Sequence, residues 1–412
     1  MLTLWFHLRS QKKTQYIRLN ENSTHMKQKI RMGMVGGGKG AFIGAVHRMA
    51  AAIDGEIELV CGAFSSDPEK SSASGAELGL PPERCYPTFE AMIKGEKRLN
   101  PEKRMHFVSI VTPNHVHFAP AKMALENGFH VVCDKPVAFN LQEALKLEKL
   151  VEKTGLFFAL THNYTGYPMV KQARQMIRHG ELGVVRKVVV EYPQGWLSTN
   201  LEASGNKQAS WRTDPTKSGA AGAMGDIGTH AENLAEYITG QHITEMCADI
   251  STFVPGRLLD DDGNVLLRLS GGAKGILHAS QIAAGEENNL SIKVYGEKGG
   301  LEWRQMEPNT LIVRWLDQPT QMYRTGVGKL YPESLAHTRI PAGHPEGYLE
   351  AFATVYSEIA HAIRSRRDGG PRLDAAVQFP TVVDGVKGVV FVEAVVASAA
   401  AGGQWVTLPV VA

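Results

Sequence analysis

Three short stretches of this 412-residue chain hold residue types that move protons and hydrides. Cys133-Asp134-Lys135-Pro136 closes an apolar run that starts at Phe129. Lys135 thus falls just past the end of a buried strand, where open α/β sheets carry their chemistry. Gly225-Asp226-Ile227-Gly228-Thr229-His230 sets a carboxylate and an imidazole on one face, if a helix already runs there. Gly36-Gly37-Gly38-Lys39-Gly40-Ala41 fits G-x-G-x-x-A between an apolar strand and a helix. Such glycines let the backbone approach a pyrophosphate, and the helix that follows offers it free N–H groups.

Together these pieces suit carbinol oxidation at a nicotinamide. A base must take the hydroxyl proton as hydride leaves the same carbon, and histidine titrates near working pH. His230 is the candidate base. Asp226 can orient its imidazole or hold a neighbouring substrate hydroxyl. Lys135 supplies positive charge for the developing alkoxide and can join a proton relay. Plainer roles stand beside these: Lys135 as a surface lysine, Asp226 as a helix cap, His230 as a bonded core histidine.

Strands and helices must position these groups. Ile30–Val35, Ile57–Phe64, His106–Val111, Phe129–Cys133 and Phe157–Leu160 read as strands. Between them lie helical patterns at Phe42–Ile53, Asp67–Leu78, Phe89–Ile93, His115–Asn127 and Leu141–Lys153. This alternation predicts a doubly wound parallel sheet, a Rossmann-type α/β domain over residues 29–162. After residue 162 the texture changes. Helices Met169–Arg178 and Ala231–Ile238 accompany strands near Val184–Tyr192, Ile243–Phe253, Asn264–Leu269, Gly275–Ile282, Leu290–Tyr295 and Thr310–Trp315. Asp262-Gly263, Gly271-Gly272 and Gly299-Gly300 read as hairpin turns, and Gly195–Ser218 as a polar, Trp-bearing loop. The prediction for 163–412 is an α+β domain on a mostly antiparallel sheet, closed by helices at Tyr348–Arg364 and Val382–Ala400.

At the end of the second strand, Ser65 and Ser66 occupy the ribose position, while Asp67-Pro68 suits a helix cap. Two hydroxyls do not exclude a 2′-phosphate, and Lys70 is near, so NAD and NADP both remain open. His115-Val116-His117 lacks further ligands at metal spacing and reads as a helix start, so no metal is expected.

Composition bounds the rest. Hydrophobic and charged fractions of 43% and 21% are those of an ordinary globular protein. The formal charge is +2, yet residues 1–31 hold seven Lys/Arg and one Glu, so the remainder is acidic. That gives no case for nucleic-acid binding. Cys61, Cys85, Cys133 and Cys247 lack paired spacing and read as free, mostly buried thiols in a reducing compartment, which points to the cytoplasm. No stretch has membrane-spanning length. Residues 1–28 carry no signal-peptide pattern and read as a disordered tail or a misassigned start, with Met26 or Met32 as alternatives.

The glycine turn, Thr112-Pro113-Asn114-His115, Asp134-Lys135-Pro136 and Asp226-Ile227-Gly228-Thr229-His230 together resemble the Gfo/Idh/MocA oxidoreductases over residues 30–412. The resemblance implies a Rossmann domain, a C-terminal domain built on a large, mostly antiparallel sheet, and a homodimer or homotetramer assembled through that sheet. It implies a small carbohydrate or cyclitol substrate; the charge and the lack of a spanning stretch already argue for no nucleic-acid and no membrane partner. Lys135, Asp226 and His230 match the family's catalytic lysine, aspartate and histidine. Asp134 replaces the family's usual glutamate and keeps its charge. The expected cofactor site is Gly36, Gly38, Lys39, Ala41, Phe42, Ile43, Ser65, Ser66, Thr112, Pro113, Asn114, His117, Asp134, Lys135 and Pro136. Tyr164, Trp211, Arg212 and His344 are expected to face substrate with Asp226 and His230, though packing roles would also suit those four. Some relatives instead hold NAD tightly and cleave glycosides by transient oxidation, elimination and re-reduction, which the same residues would serve. A binding protein that has lost catalysis is disfavoured by the intact Lys135, Asp226 and His230.

Overall fold

The computed structural model describes residues 28–369 and 378–411. The expectation for the first 28 residues therefore lies, apart from Gln28, outside the described residues. The first part of the chain alternates β1 (Ile30–Gly36), α1 (Phe42–Ile53), β2 (Ile57–Ala63), α2 (Pro68–Glu77), α3 (Phe89–Arg98) and β3 (Phe107–Val111). It continues with α4 (Phe118–Glu126), β4 (His130–Cys133), α5 (Leu141–Thr154) and β5 (Phe158–Leu160). The strands pair in parallel in the order β2-β1-β3-β4-β5. β3 and β4 are buried at every residue, as strands covered on both faces must be. Asp67 caps α2 by accepting the Glu69 and Lys70 N–H groups, as its place before Pro68 predicts. From β1 the chain steps outward one way to β2 and the other way to β3. The loops after β1 and β3 therefore part and open a crevice at their carboxyl ends.

The second part carries α6 (Pro168–Arg178), β6 (Val185–Pro193), α7 (Lys207–Arg212), α8 (Thr229–Thr239), β7 (Ile243–Ser251), β8 (Asp262–Leu269) and β9 (Lys274–Ser280). It ends with β10 (Ser291–Gly296), β11 (Gly299–Arg304), β12 (Thr310–Trp315), β13 (Gln321–Arg324), α9 (Tyr348–Arg367), α10 (Val382–Ala400) and β14 (Val406–Thr407). Nine strands form one sheet in the order β13-β12-β11-β10-β6-β9-β8-β7-β14. Only the β6–β9 pair is parallel. One face packs on α6 and α8, burying Val188, Leu277 and Trp303 against Val170, Met176 and Leu234. β8 alternates buried and exposed residues, so the other face is open.

Two expected turns prove to be strand. Asp262-Gly263 lies in β8, where a Cβ on Gly263 would stand 2.7 Å from Met224 Sδ. Gly299-Gly300 opens β11, and the turn falls at Glu297-Lys298 instead. Glycine marked close packing there, not chain reversal. The Gly195–Ser218 segment is not all loop, since it contains α7.

The last two long helices cross the division expected at residue 162. Phe352, Val355, Tyr356 and Ile359 of α9 share a core with Ile30, Met32 and Val46 of the parallel sheet. Val386, Val389 and Val390 of α10 pack with Leu147 and Phe158, while α10 also contacts β7. Both sheets are thereby clamped around the crevice. All four cysteines are free, Cys61 and Cys133 buried and Cys85 and Cys247 partly so. Among the described residues, no helix is long and apolar enough to cross a membrane.

Candidate active site

The crevice is a cleft of about 1440 Å³, walled by the strand-end loops of the parallel sheet and by loops of the nine-stranded sheet. Its nucleotide end is made of backbone. Gly38 N–H donates to Phe64 O at 3.1 Å, and Lys39 N–H donates to Ser74 Oγ at 3.1 Å. A Cβ on Gly38 would stand 2.8 Å from both acceptors, so the turn closes only around glycine. Gly44 packs on the same turn: its Cβ would meet Gly37 Cα at 2.3 Å, so the close helix contact lies there rather than at Ala41. Helix α1 begins at Phe42 with no acidic residue in its first turn, leaving its N–H groups and positive dipole end for an anion. Thr112 Oγ1, across the cleft, is buried without a protein partner. A dinucleotide fits this donor set.

Gly36, Gly38, Lys39, Ala41, Phe42, Ile43, Ser65, Ser66, Thr112, Pro113, Asn114, Asp134 and Lys135 all line the cleft, as expected. Asp67 spends its carboxylate on the α2 cap and pairs with Lys70 at 3.5 Å. Pro136 and His117 do not line the cleft. The His117 ring is buried beneath it, with Nδ1 2.6 Å from Pro136 O and Nε2 2.8 Å from Thr112 O. It ties two cofactor loops together from below. Asn114 Nδ2 donates to Ser218 O at 2.9 Å, joining the cofactor loop to the segment that carries α7.

At the other end, side chains take over. Lys135 Nζ donates to Asp226 Oδ1 at 2.6 Å and to Asp226 O at 2.5 Å. Asp226 rides a π-helical turn, Met224–Gly228, that leads into α8. Asp260 holds that turn by accepting the N–H groups of Gly222 (2.6 Å) and Met224 (2.8 Å). Arg212 Nε and Gln281 Nε2 donate to Asp226 Oδ2 at 3.1 and 2.8 Å. Burial would raise the Asp226 carboxyl, but Lys135 and Arg212 outweigh it and hold it well below the usual carboxylate range. The Arg212 guanidinium lies 4.3 Å from the Trp211 ring centre and 5.8 Å from that of Trp196, which fixes its plane.

His230 lines the same cleft and is buried. Its Nδ1 lies 3.3 Å from Nδ1 of His162. The Tyr164 ring meets it edge-on at 4.9 Å. Burial first, then Lys135 and His162, push the His230 imidazole well below its ordinary pKa, so it is held neutral. Asp226 does not orient this imidazole: its oxygens are committed to Lys135, Arg212 and Gln281, and the ring's nitrogen partner is His162. Tyr164 OH is bonded to Tyr192 OH and accepts from Asn288 Nδ2 at 3.2 Å, presenting a polar wall. Asp134 Oδ1 accepts from Thr161 Oγ1 at 2.8 Å and from Lys135 N–H at 3.0 Å, so it fastens β4 to β5 beside the cleft.

Trp211, Arg212 and Tyr164 reach the cleft, and His344 does not. His344 is exposed, its Nδ1 3.0 Å from Pro341 O. Buried Glu346 accepts the N–H groups of Arg339 and Ile340 and turns that loop outward. Sequence reasoning missed His162, Gln281, Asn288 and Tyr192. His162 lies two residues past the end of β5, as Lys135 lies two past β4, so the strand-end rule that found Lys135 would also have found it. Among the described residues, no cluster of three His, Cys, Asp or Glu side chains is placed to hold a metal.

Residues 30–162 match the family described as "Oxidoreductase family, NAD-binding Rossmann fold", and residues 170–302 match the "GFO/IDH/MocA C-terminal domain". An uncharacterized oxidoreductase of Bacillus subtilis is 33% identical over 92% of this chain and 96% of its own. An inositol dehydrogenase homolog from Azotobacter vinelandii, complexed with NAD+, superposes with a TM-score of 0.89 at 38% identity, covering 93% and 99% of the two chains. With NADH and myo-inositol the same homolog gives a TM-score of 0.86 over 92% and 98%. Levoglucosan dehydrogenase of Pseudarthrobacter phenanthrenivorans is 26% identical over 93% of this chain and 99% of its own. A Rossmann domain with a glycine-rich turn, a lysine–aspartate–histidine cluster facing it and this extent of likeness make the chain a member of the Gfo/Idh/MocA family, an NAD-binding oxidoreductase.

Proposed function

We propose that this protein is an NAD-dependent dehydrogenase of a cyclitol or closely related sugar, with His230 as the proton acceptor. The observation that carries this reading is the placement of Lys135, Asp226 and His230 in the same cleft as the nucleotide turn. Bound with its pyrophosphate on Gly36–Ala41, NAD would supply the hydride acceptor. The chain's own residues handle the oxygen. A secondary hydroxyl placed between Lys135 and His230 loses its proton to the neutral imidazole. The Lys135 ammonium donates to the oxygen as negative charge grows there. Ionised Asp226 balances Lys135 and Arg212 and keeps both aimed. Tyr164, Tyr192, Gln194 and Asn288 offer hydroxyl and amide partners for the remaining hydroxyls of a polyol.

Cyclitol is favoured over other alcohols by the Azotobacter homolog, which binds NADH and myo-inositol, and levoglucosan dehydrogenase supports a carbohydrate scaffold more broadly. NAD is favoured over NADP because the Azotobacter homolog is complexed with NAD+, although Lys70 lines the cleft beside Ser65 and Ser66. We also propose a homodimer or homotetramer through the open face of the large sheet, where Leu266, Ile276 and Tyr295 are exposed. The free thiols suit the cytoplasm as its compartment.

Absorbance at 340 nm tests the central reading, with purified protein, NAD+ or NADP+, and a panel of inositols, sugars and glycosides. Net NADH formation with a cyclitol or sugar is the expected result. Sugar released from a glycoside without net NADH would replace it with the cyclic oxidation–elimination–reduction mechanism.

A further inference from the structure

We infer that His162 is a positioning residue that sets the tautomer of His230 and so decides which of its nitrogens is free to take the substrate proton. The inference rests on the reading above that His230 accepts that proton. The two Nδ1 atoms face one another at 3.3 Å with the rings edge-on at 87°. Between two neutral imidazoles this contact holds one proton. If His162 carries it, His230 must carry its own proton on Nε2 and cannot act as a base. If His230 carries it, Nε2 presents a lone pair to the cleft, and His162 accepts through Nδ1. Only the second arrangement permits alcohol oxidation.

The surroundings leave this task to His162. Asp226 is bonded to Lys135, Arg212 and Gln281, and Asp134 to Thr161 and the Lys135 backbone. The hydroxyls of Tyr164 and Tyr192 are bonded to each other and to Asn288. Lys135 is a donor without acceptor capacity. None of these carboxylates or hydroxyls is bonded to His230 Nδ1, whose hydrogen-bond partner is His162 Nδ1. His162 is held in place: its side chain is buried, at 2% exposure, its backbone N–H donates to Leu160 O at 2.9 Å, and its backbone carbonyl accepts from Thr165 Oγ1 at 2.9 Å. When the hydroxyl proton arrives at Nε2, His230 becomes an imidazolium whose Nδ1–H still donates to His162. The hydride and its electron pair leave for the nicotinamide, and the carbinol becomes a ketone. His162 gains and loses nothing in the step.

Two variants of similar size separate acceptor from filler. His162→Asn keeps an oxygen near the Nδ1 position, and His162→Leu removes every polar atom. With myo-inositol and NAD+, His162→Leu is expected to lower kcat by about 100-fold while the KM for inositol and NADH binding stay near the parent values. His162→Asn should recover kcat to within about tenfold of the parent. Nitrogen-15 spectra of histidine-labelled parent protein should show His230 protonated at Nδ1, a readout independent of turnover. His162→Leu at parental kcat, His162→Asn as slow as His162→Leu with NADH binding intact, or His230 protonated at Nε2 would each overturn the inference. Should His162→Leu fail to bind NADH, the Asn variant and the spectrum decide. His230→Ala runs alongside: if it is fully active, the proposed function itself falls, whereas an inactive His230→Ala with a normal His162→Leu removes only His162.

Discussion

At one end of the cleft, the glycine turn Gly36–Ala41 is closed by its own backbone and leads into α1, whose first N–H groups face an anion with their dipole. At the other, Lys135, His162, Arg212, Asp226, His230 and Gln281 converge from both sheets and work through side chains. The nucleotide turn is local: it needs one strand, one helix and space where a Cβ would collide. The side-chain cluster is assembled: Lys135 and His162 follow strands of the parallel sheet, whereas Asp226 and His230 come from the turn into α8. A backbone site tolerates change in side chains and fails when space is lost. A side-chain cluster fails when one charge or one lone pair is removed.

Substitutions at the two ends should therefore separate kcat from cofactor affinity. The largest effect is expected for His230→Ala, which removes the base: kcat should fall by about 1,000-fold with NADH binding, read by fluorescence titration, unchanged. Asp226→Asn keeps the shape but leaves Lys135 and Arg212 without their counter-charge. Steady-state assay should show about a 100-fold loss in kcat, again with cofactor affinity intact. Gly38→Ala attacks the other end, placing a methyl 2.8 Å from Phe64 O. There the KM for NAD+ should rise by about tenfold and kcat stay near the parent value. Equal damage to both parameters from any of the three would dissolve the division between the ends.

Smaller effects sharpen it. Burial, then Lys135 and His162, hold His230 well below an ordinary imidazole, so it remains a neutral base as pH falls through the normal histidine range. Between about pH 8 and pH 6, kcat/KM should drop less than about twofold, whereas an unshifted histidine would lose most of its activity by pH 6. A full histidine-like inflection near pH 6.5 would show that the site is wetter than the structure makes it. His344→Ala, outside both ends, should leave kcat and both KM values within about twofold.

How much could be foreseen follows the same division. The five parallel strands and the glycine turn were legible because periodicity and turn chemistry act over a few residues. Lys135, Asp226 and His230 were legible because each sits at an element boundary. His117 was misplaced because sequence gives proximity to the loop but not the side of it: the ring went under the loop, bonded to two carbonyls. His344 was misplaced because buried Glu346, two residues on, turned the loop away from the cleft. Gly299 and Gly300 looked like a turn because an edge-to-core packing reason for glycine cannot be told from a turn without the neighbouring strand. The exchange of partners, with Asp226 going to Lys135 and His162 to His230, depends on the crossing of two sheets and left no trace in local spacing.

The central claim is direct hydride transfer from a cyclitol carbon with the proton passing to His230. Myo-inositol deuterated at its ring carbons, incubated with NAD+ and the protein, tests it by mass spectrometry of the reduced cofactor. Deuterated NADH is expected from the parent protein and almost none from His230→Ala. Unlabelled NADH from the parent, or equal deuterated product from both proteins, would contradict it.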